Sequence, residues 1–397
     1  MTVGSPLDER AFLLNVKRQW REWSGRYASS AYAAHHDIEV NAIRNAAALM
    51  DLSSLYKYRV SGPDAQRLVD RVITRDATKL RPGQVFYTPW CDEHGKVLDD
   101  GTVHRLDDDS YRWTAADPQL RWLRLNARGL DVTITEDTDT LATLGLQGPL
   151  SRDVLEAAAG ESFADLRYFR RREGRIGDLI VDVSRTGYTG DLGYELWVDA
   201  TEAVRLWDAL MEAGRPFGIR ATGMLALDVV RIEAGLIMLE VDYTSSAHAL
   251  VPEQSYSPYE LGLGRLVDLD KQTPFVGRAA LRREQATGGP GRRLVGLDLD
   301  WTDLERLYAA QELSPALSAA AWRQQIPVYA ADRQVGRATS GTWSPGLKRN
   351  IALASVEARY EAPGTPLQME WTVEGRRGRV GAVVTELPFF DPPHKRA

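Results

Sequence analysis

The chain has 397 residues, of which 44% are hydrophobic and 26% are charged, an ordinary composition for a globular protein of two or three domains. A net charge of −6 argues against nucleic acid as the main partner, and no apolar run is long enough to predict a membrane span. The single cysteine, Cys91, excludes an internal disulfide and a cysteine-based zinc site, and Met1–Arg21 does not resemble a signal peptide, so a cytoplasmic location is expected.

The first part of the sequence mixes helix and strand patterns. Apolar residues at helical spacing predict a helix over residues 37–50, with Asp37 as its N-cap. Alternating and β-branched stretches predict strands, and Gly-Pro or Asp-Pro pairs mark the turns between elements. The predicted strands lie at 56–61, within 85–114 as a pair joined by a turn at 92–95, and at 141–146, and further helices lie at 65–72 and 117–127.

A glycine-rich hairpin is predicted next. The β-branched run Leu179–Val183 indicates a strand, and glycines follow at positions 187, 190 and 193. A second strand then begins, in which Glu195 and Trp197 share one face. A carboxylate should therefore lie beside an indole at the mouth of the hairpin. The glycine spacing is not that of a dinucleotide-binding loop, and no helix pattern follows directly.

The remaining sequence predicts helices at 202–213 and 222–236, a glycine-rich linker at 286–293 and a small β domain. Its strands are predicted at 294–299, 328–330, 351–354, 367–371 and 379–384. The end of the chain, from Pro392 onward, is expected to be frayed.

A family resemblance covers residues 37–390. The segment Arg185–Glu195 reads RTGYTGDLGYE and resembles the folate-binding signature of the glycine cleavage T-protein (aminomethyltransferase) family. Further family-like motifs follow in the family's order along the chain. They are GKVLDD at 95–100, LGLQGP at 144–149, RIEAG at 231–235, ELGLG at 260–264, FVGRAAL at 275–281 and GRATSG at 336–341.

The resemblance implies an α+β fold, a three-domain cloverleaf of the aminomethyltransferase type with a central folate site. It implies a discontinuous first domain, residues 1–55 plus 150–285, which carries the glycine-rich folate motif. A second α/β domain would span 56–149, and a C-terminal β domain would span 294–390.

The resemblance also implies tetrahydrofolate as the cofactor and suggests the residues that bind it. Glu195 can accept two N–H donors from the edge of a pterin, the strong charge-assisted arrangement. Arg231, Tyr188, Tyr87 and Gln147 would complete the site. Each has a structural alternative, which is an ion pair for Arg231, core packing for the two tyrosines and a strand cap for Gln147. For Gln147 alone we favour the structural alternative.

Two adjacent acids are the leading catalytic candidates. Asp99 and Asp100 lie on one strand and so point to opposite faces, which means that only one can face the site. The family resemblance implies that one of the two lies near the folate nitrogens that receive the carbon, where a carboxylate can orient the amine and stabilise positive charge. Loss of a methyl group also requires a proton donor for the leaving group, for which Tyr243 is the first candidate, followed by His248 and His35–His36. No metal-ligand spacing is present, and no metal is expected.

The function predicted from the resemblance is one-carbon transfer from a small methyl donor to tetrahydrofolate. Thr114–Asp117 and the segment 237–248 depart from the usual family pattern, and the segment 237–248 resembles the branch that demethylates small molecules, aryl methyl ethers among them. One alternative is aminomethyl transfer in a glycine-cleavage-type system, which requires a lipoylated carrier protein. Another is a non-catalytic folate-binding protein.

Overall fold

The computed structural model describes residues 3–396 and is built from helices and strands in mixed order. The helices are α1 (Asp8–Leu14), α2 (His36–Asn45), α3 (Ala65–Val72), α4 (Leu120–Asn126), α5 (Ser151–Ala159), α6 (Ala203–Ala213), α7 (Met224–Glu233), α8 (Arg278–Ala286) and α9 (Trp301–Ala309). The strands of the first half are β1 (Trp20–Trp23), β2 (Arg26–Ser29), β3 (Ala48–Asp51), β4 (Tyr56–Ser61), β5 (Val85–Cys91), β6 (Val97–Arg105), β7 (Ser110–Ala115), β8 (Thr133–Glu136), β9 (Leu141–Gln147), β10 (Arg171–Ile176) and β11 (Leu179–Ser184). Those of the second half are β12 (Gly193–Asp199), β13 (Arg220–Ala221), β14 (Arg292–Leu299), β15 (Ile326–Ala330), β16 (Arg333–Ser344), β17 (Arg349–Glu357), β18 (Pro366–Val373) and β19 (Arg376–Thr385).

The structure contains two open sheets and a closed barrel, and each packs on its own hydrophobic core. One sheet has the order β10-β11-β12-β9-β3-β13, and another has the order β5-β6-β7-β4-β8. Strands β14-β17-β16-β15-β18-β19 close into a barrel, and β1 and β2 form a hairpin. Buried apolar residues fill the barrel and cover one face of each open sheet. The predicted α+β fold with a C-terminal β domain is confirmed, and that domain is a six-stranded barrel.

The predicted domain boundaries stay predictions, but the strand pairing bears on one of them. Strand β9 lies at the end of the predicted second domain, 56–149. It is hydrogen-bonded between β12 and β3, both of which belong to the predicted first domain. The hydrogen-bonding partners of β9 therefore lie outside the segment to which the prediction assigned it.

Strand alternation sets which side chains reach the interior of the molecule. In β12, Tyr194, Leu196 and Val198 are buried in the core of the six-stranded sheet. Glu195 and Trp197 point to the opposite face, as the period of two requires, and they line a large cavity. The predicted arrangement of this hairpin is confirmed.

Some local features differ from the predictions. The helix predicted over 37–50 ends at Asn45, because 48–51 is a strand that pairs with β9 and β13, and its N-cap is His35 rather than Asp37. Strand β16 was not predicted, and neither was α9, whose N-cap Asp300 accepts a hydrogen bond from the backbone N–H of Asp303 at 2.9 Å. Sheet pairing overrode the helical pattern in the first case.

The end of the described chain is packed rather than frayed. The backbone N–H of Phe390 donates to the carbonyl of Glu233 at 2.8 Å, and the guanidinium of Arg44 lies over the Phe390 ring. His394 Nε2 is 2.7 Å from Asp191 Oδ1. Ala397, the last residue of the segment that was expected to be frayed, lies outside the described residues. Of the helices in residues 3–396, none has the length and apolarity that crossing a membrane requires.

The glycine after the two adjacent acids is required by a close backbone contact. Gly101 faces the carbonyl of Thr114 on the neighbouring strand, and a Cβ at position 101 would lie 2.1 Å from that oxygen. Backbone atoms of a paired strand cannot rotate away from such a contact. The approach of β6 to β7 therefore requires glycine here, directly beside Asp100.

We expect Gly101→Ala to lower the free energy of unfolding by about 3 kcal/mol, because the added methyl forces β6 and β7 apart. Urea denaturation measures the change. Gly291→Ala is the matched control, since its added Cβ would meet no heavy atom within 4 Å, and its effect should stay within about 0.5 kcal/mol. Equal stability of the two variants would contradict the steric argument.

Candidate active site

A cavity of about 1180 Å³ lies where the two open sheets, the barrel and the C-terminal segment meet. Its walls are mostly aromatic and aliphatic, and carboxylates of Asp100 and Glu195 face into it. Four of the nine predicted site residues line the cavity: Tyr87, Asp100, Tyr188 and Glu195. The other five do not, and each of those has internal partners that explain its position.

Glu195 presents one unused oxygen to the cavity. Its Oε2 accepts a hydrogen bond from Thr186 Oγ1 at 2.7 Å, and no donor in residues 3–396 bonds to Oε1. Burial raises the pKa of Glu195, and the Thr186 hydroxyl and the positive charge of Arg112 offset part of that rise. A fixed carboxylate with a free oxygen is suited to accept N–H groups from a flat ligand.

Gln147 shapes the glycine-rich hairpin from behind. Its Nε2 donates to the carbonyls of Thr186 and Tyr194, and its Oε1 accepts from Thr189 Oγ1 at 2.8 Å. Cβ atoms at positions 187 and 193 would lie 2.1 and 2.3 Å from Gln147 Oε1, so the glycines leave room for this side chain. Gln147 therefore has a structural position and no surface on the cavity, contrary to the cofactor contact that the resemblance implied.

The two adjacent acids have opposite surroundings. Asp99 is fully buried, and its carboxylate accepts backbone N–H bonds from Asp100 at 2.7 Å and from Ala116 and Asp117 at 3.0 Å. Asp100 points the other way and lines the cavity. The choice that the sequence left open is therefore resolved geometrically: Asp100 faces the cavity, and Asp99 fixes the loop after β7.

Two tyrosine hydroxyls hold the carboxylate of Asp100. Tyr87 donates to Oδ2 at 2.7 Å, and Tyr243 donates to Oδ1. Burial raises the pKa of Asp100, while these two hydrogen bonds lower it toward its usual range. The carboxylate is thus fixed in one orientation by groups from β5 and from the segment after α7.

Tyr243 does not have the position of a proton donor to a leaving group. It is 2% exposed, does not line the cavity, and directs its proton at Asp100. Burial and the charge of Asp100 raise its pKa well above the ordinary value. The geometry does not support the predicted role of proton donor, and Tyr243 instead contacts Asp100 from outside the cavity lining.

Arg231 is buried behind the cavity wall. It donates to Asp242 Oδ2 and to the carbonyl of Leu236, and Asp242 also accepts from Thr339 and Ser340 of the barrel. Arg231 therefore does not reach the cavity, contrary to the predicted folate contact. It organises the segment that carries Tyr243, and its acid partner is Asp242.

Tyr188 and the histidines have separate positions. Tyr188 lines the cavity, and its hydroxyl donates to the carbonyl of Ile237, which joins the hairpin to the same segment. His248 lies near Glu240 and Asp117, at 2.9 and 3.2 Å, away from the cavity lining. His36 contacts the carbonyl of Ala319. Among residues 3–396, none of the histidines lines the cavity, so the predicted role of His248 as proton donor finds no geometric support.

Several cavity residues were not predicted. Thr102 and Thr114 form a hydroxyl pair at 2.7 Å beside Asp100, and Thr102 also contacts the buried His104 at 3.1 Å. The position of Thr102 could have been predicted from the sequence, because it follows Asp100 by two residues and so lies on the same face of the strand. Cationic side chains from separate parts of the chain also line the cavity, and no sequence spacing connects them. They are Arg75, Arg170, Arg265, Lys395 and Arg396.

The arrangement favours organic chemistry on a bound flat ligand. Glu195 can accept hydrogen bonds from polar N–H groups, and Asp100 can orient an amine or stabilise a developing positive charge. Within residues 3–396, no cluster of three or more His, Cys, Asp or Glu side chains could hold a metal ion.

Comparison with known proteins identifies close relatives. Residues 9–271 match the GCVT N-terminal domain model, and residues 292–391 match the glycine cleavage T-protein C-terminal barrel domain model. A trimethylamine-oxide aldolase from Ruegeria pomeroyi is 36% identical over 388 residues, which is 94% of this chain and 46% of that protein. The chain thus spans less than half of that relative.

Other relatives match over nearly their whole length. An aminomethyltransferase from Shouchella clausii is 35% identical over 357 residues, which cover 89% of each chain. The crystal structure of the glycine cleavage system aminomethyltransferase T from Bartonella henselae superposes with a TM-score of 0.82 over 98% of this chain and 99% of that one. Its sequence identity is 23%, so this likeness establishes the fold.

We expect Tyr243→Phe to raise the pKa of Asp100, because it removes a donor that stabilises the ionised carboxylate. The midpoint for Asp100 in a ¹³C NMR titration should move to higher pH, and Tyr87→Phe should move it in the same direction. Tyr111→Phe is the control, since the Tyr111 hydroxyl has no hydrogen-bond partner within residues 3–396. An unchanged or lower midpoint in Tyr243→Phe would refute the support role.

Proposed function

The chain belongs to the glycine cleavage T-protein family of folate-dependent aminomethyltransferases, and we propose that it transfers a one-carbon unit from a small methylated donor to tetrahydrofolate. The observation that carries the proposal is the pair of carboxylates in one cavity. Asp100 is clamped by two tyrosine hydroxyls, and Glu195 keeps a free oxygen.

The residues present fit a reduced folate. The free Oε1 of Glu195 matches the N–H groups of a pterin edge. A cavity of about 1180 Å³ has room for a folate and a small second molecule. Bound tetrahydrofolate supplies the nitrogen that accepts the carbon.

Asp100 is the proposed catalytic residue. Its carboxylate orients the accepting amine toward the donor, stabilises positive charge as that nitrogen is alkylated, and takes up the proton that the nitrogen then loses. The bond from the methyl carbon to the donor's oxygen or nitrogen breaks as the new carbon–nitrogen bond forms, and the departing atom keeps the electron pair and receives that proton through Asp100. Tyr87 and Tyr243 hold it in this orientation and favour its ionised form. Aromatic side chains, among them Tyr188 and Trp197, line the cavity together with these groups.

A small methylated molecule is the donor class that we favour, aryl methyl ethers included. The segment that supplies Tyr243 departs from the usual family pattern, and aromatic side chains such as Tyr188 and Trp197 contribute to the cavity wall. The relative named trimethylamine-oxide aldolase adds N-methylated small molecules to the candidates.

Aminomethyl transfer from a lipoylated carrier protein is the second candidate. It is favoured by the 35% identity to an aminomethyltransferase over 89% of both chains. The two functions differ in one requirement. Incubation with tetrahydrofolate and an aryl methyl ether, trimethylamine N-oxide or sarcosine should yield one-carbon folate without any carrier protein. Activity only with an aminomethylated lipoyl carrier would instead support the second candidate.

We expect Glu195→Gln to weaken tetrahydrofolate binding by about 10- to 100-fold, because a charge-assisted acceptor is replaced by a neutral amide. Isothermal calorimetry measures the affinity. Glu173→Gln, an exposed position on β10, is the control for loss of one negative charge. Unchanged affinity in Glu195→Gln would remove the basis for this folate site.

We expect Asp100→Asn to retain tetrahydrofolate affinity within about threefold while turnover falls at least about 100-fold, because the amide cannot stabilise the developing charge. Single-turnover assays separate the two effects. A wild-type protein that binds folate but converts none of these donors, with or without carrier, would support the non-catalytic alternative.

A further inference from the structure

Thr102 lies on the cavity wall close to the proposed catalytic carboxylate. It follows Asp100 by two positions on β6, so the two side chains share one face of the strand, with Cα atoms about 7 Å apart. The hydroxyl oxygen of Thr102 is 2.7 Å from that of Thr114 on β7, and both threonines line the cavity. A pair of hydroxyl groups therefore lies beside Asp100 on the wall of the site.

A fully buried histidine contacts Thr102 from outside the cavity lining. His104 Nε2 is 3.1 Å from Thr102 Oγ1, and within residues 3–396 the other ring nitrogen, Nδ1, has no hydrogen-bond partner. Burial and the positive charges of Arg112 and Arg171 lower the pKa of His104 well below its ordinary value. The imidazole is therefore neutral and carries a single N–H.

The hydrogen bonds around this imidazole favour a proton on Nε2. A proton on Nδ1 would be a buried N–H without an acceptor, and such N–H groups are rarer in folded proteins than buried acceptors without a donor. A proton on Nε2 instead lies in the contact with Thr102 Oγ1. In this tautomer His104 is the donor and the Thr102 hydroxyl is the acceptor.

The count of protons in this cluster leaves one hydroxyl proton for a ligand. Thr102 Oγ1 accepts from His104 Nε2, and the Thr114 hydroxyl can donate to the same oxygen at 2.7 Å. Thr114 Oγ1 in turn accepts from the backbone N–H of Thr102 at 3.0 Å. Both lone pairs of the Thr102 hydroxyl are then used, and its own proton is available to an acceptor in the cavity.

Other hydroxyl groups near the two carboxylates already donate to the protein itself. Tyr87 donates to Asp100, and Thr186 donates to the second carboxylate. Tyr188 donates to a backbone carbonyl. Each of these three groups has given its single proton, so none of them can donate to a ligand without losing its present partner. Thr102 differs, because its two neighbours can donate to it.

We propose that Thr102, with His104 as its donor, gives a hydrogen bond to the oxygen from which the methyl group departs, and that the methyl donor is therefore an aryl methyl ether. This inference rests on the proposed function, since it assumes that the accepting nitrogen lies at Asp100. Thr102 would contact the substrate directly. His104 is a positioning residue, because it acts through Thr102.

The step conserves atoms and electrons. The new carbon–nitrogen bond forms from the nitrogen lone pair, and the electron pair of the carbon–oxygen bond stays on the departing oxygen. The Thr102 hydroxyl stabilises the negative charge on that oxygen, and its own O–H bond stays intact. The proton that the nitrogen loses passes through Asp100 to the oxygen, and a phenol leaves.

This hydrogen bond favours oxygen over nitrogen as the departing atom. A phenol has a pKa of about 10, as the side chain of tyrosine does, so its oxygen can carry a negative charge that a hydrogen bond stabilises. A protonated methylamine departs as a neutral amine and develops no negative charge. A hydroxyl donor at this place therefore benefits an O-methylated molecule most.

The experiment measures single-turnover demethylation of para-substituted anisoles by the full chain with tetrahydrofolate. We expect Thr102→Val to slow para-methylanisole about 100-fold and para-nitroanisole only about threefold, because the more basic departing oxygen depends more on the hydrogen bond. Tetrahydrofolate affinity, measured by calorimetry, should stay within about threefold. A merely structural role of Thr102 would slow all the ethers equally.

The histidine is tested by two replacements. His104→Leu removes the donor and should show the same dependence on the departing phenol as Thr102→Val. His104→Gln keeps an N–H group at the place of Nε2 and should recover most of the lost rate. Thr133→Val is the control, because Thr133 is exposed on β8 of the same sheet and does not line the cavity. Thr102→Val tests the proposal even if the histidine variants do not fold.

Two measurements do not require turnover. Calorimetry with para-nitrophenol, the product of para-nitroanisole, should show about tenfold weaker binding to Thr102→Val than to the wild type or Thr133→Val. ¹⁵N NMR of the ligand-free chain should show His104 protonated on Nε2, and the signal is assigned by its loss in His104→Gln. Equal binding of the phenol, or a proton on Nδ1, would overturn the proposal.

The possible failures are distinguishable. If the wild type binds no tetrahydrofolate, or binds it and converts no donor, the proposed function falls and this inference with it. If the wild type converts sarcosine but no anisole, folate-dependent transfer stands and the O-methylated donor class is overturned. If anisoles are converted and Thr102→Val slows them all equally, or leaves their rates unchanged, only the contact with the departing oxygen is overturned.

Discussion

The clamp of two tyrosine hydroxyls on Asp100 is the interaction on which the candidate site depends. One hydroxyl comes from β5 of the five-stranded sheet, and the other comes from Tyr243 in the segment after α7. That segment is held in turn by the buried pair of Arg231 and Asp242. A carboxylate in such a position would favour its neutral form without donors, because burial raises its pKa. The hydrogen bonds from the two tyrosines stabilise the ionised carboxylate of Asp100 and fix its orientation. Asp99 lies on the opposite face of the same strand, where backbone N–H groups hold it.

Local periodicity predicted much of the fold and part of the site. The alternation in β12 correctly put Glu195 on the face away from the core, and the adjacency of Asp99 and Asp100 required that only one of them face the cavity. Identifying Asp100 needed the structure, because both residues have the same chemistry and lie on the same strand. What decided it was the position of three backbone N–H groups around Asp99, contributed partly by a loop more than ten residues away. No pattern in the sequence indicates that the loop after β7 lies next to Asp99.

Other predicted site residues do not line the cavity, because their tertiary partners hold them elsewhere. Arg231 and Gln147 belong to family-like motifs, yet both are buried beneath the surfaces that they organise. His248 has the right chemistry for proton transfer, but its neighbours are surface carboxylates. Arginines such as Arg75 lie on the cavity through long-range packing, which no spacing along the chain reveals. In each of these cases a contact between distant segments determined the environment.

The contact between Asp242 and the barrel has a consequence for how this architecture can change. Asp242 accepts hydrogen bonds from Thr339 and Ser340, which lie on a strand of the barrel, and from Arg231 at the end of α7. The barrel is therefore not an exchangeable module that merely covers the cavity. A barrel taken from another protein would need hydroxyl groups at those two positions. Without them, the buried carboxylate of Asp242 would lose two hydrogen bonds, and the loop that carries it would be held less firmly. Exchange of the barrel between distant relatives is therefore restricted to pairs of proteins that share the aspartate and both hydroxyl groups.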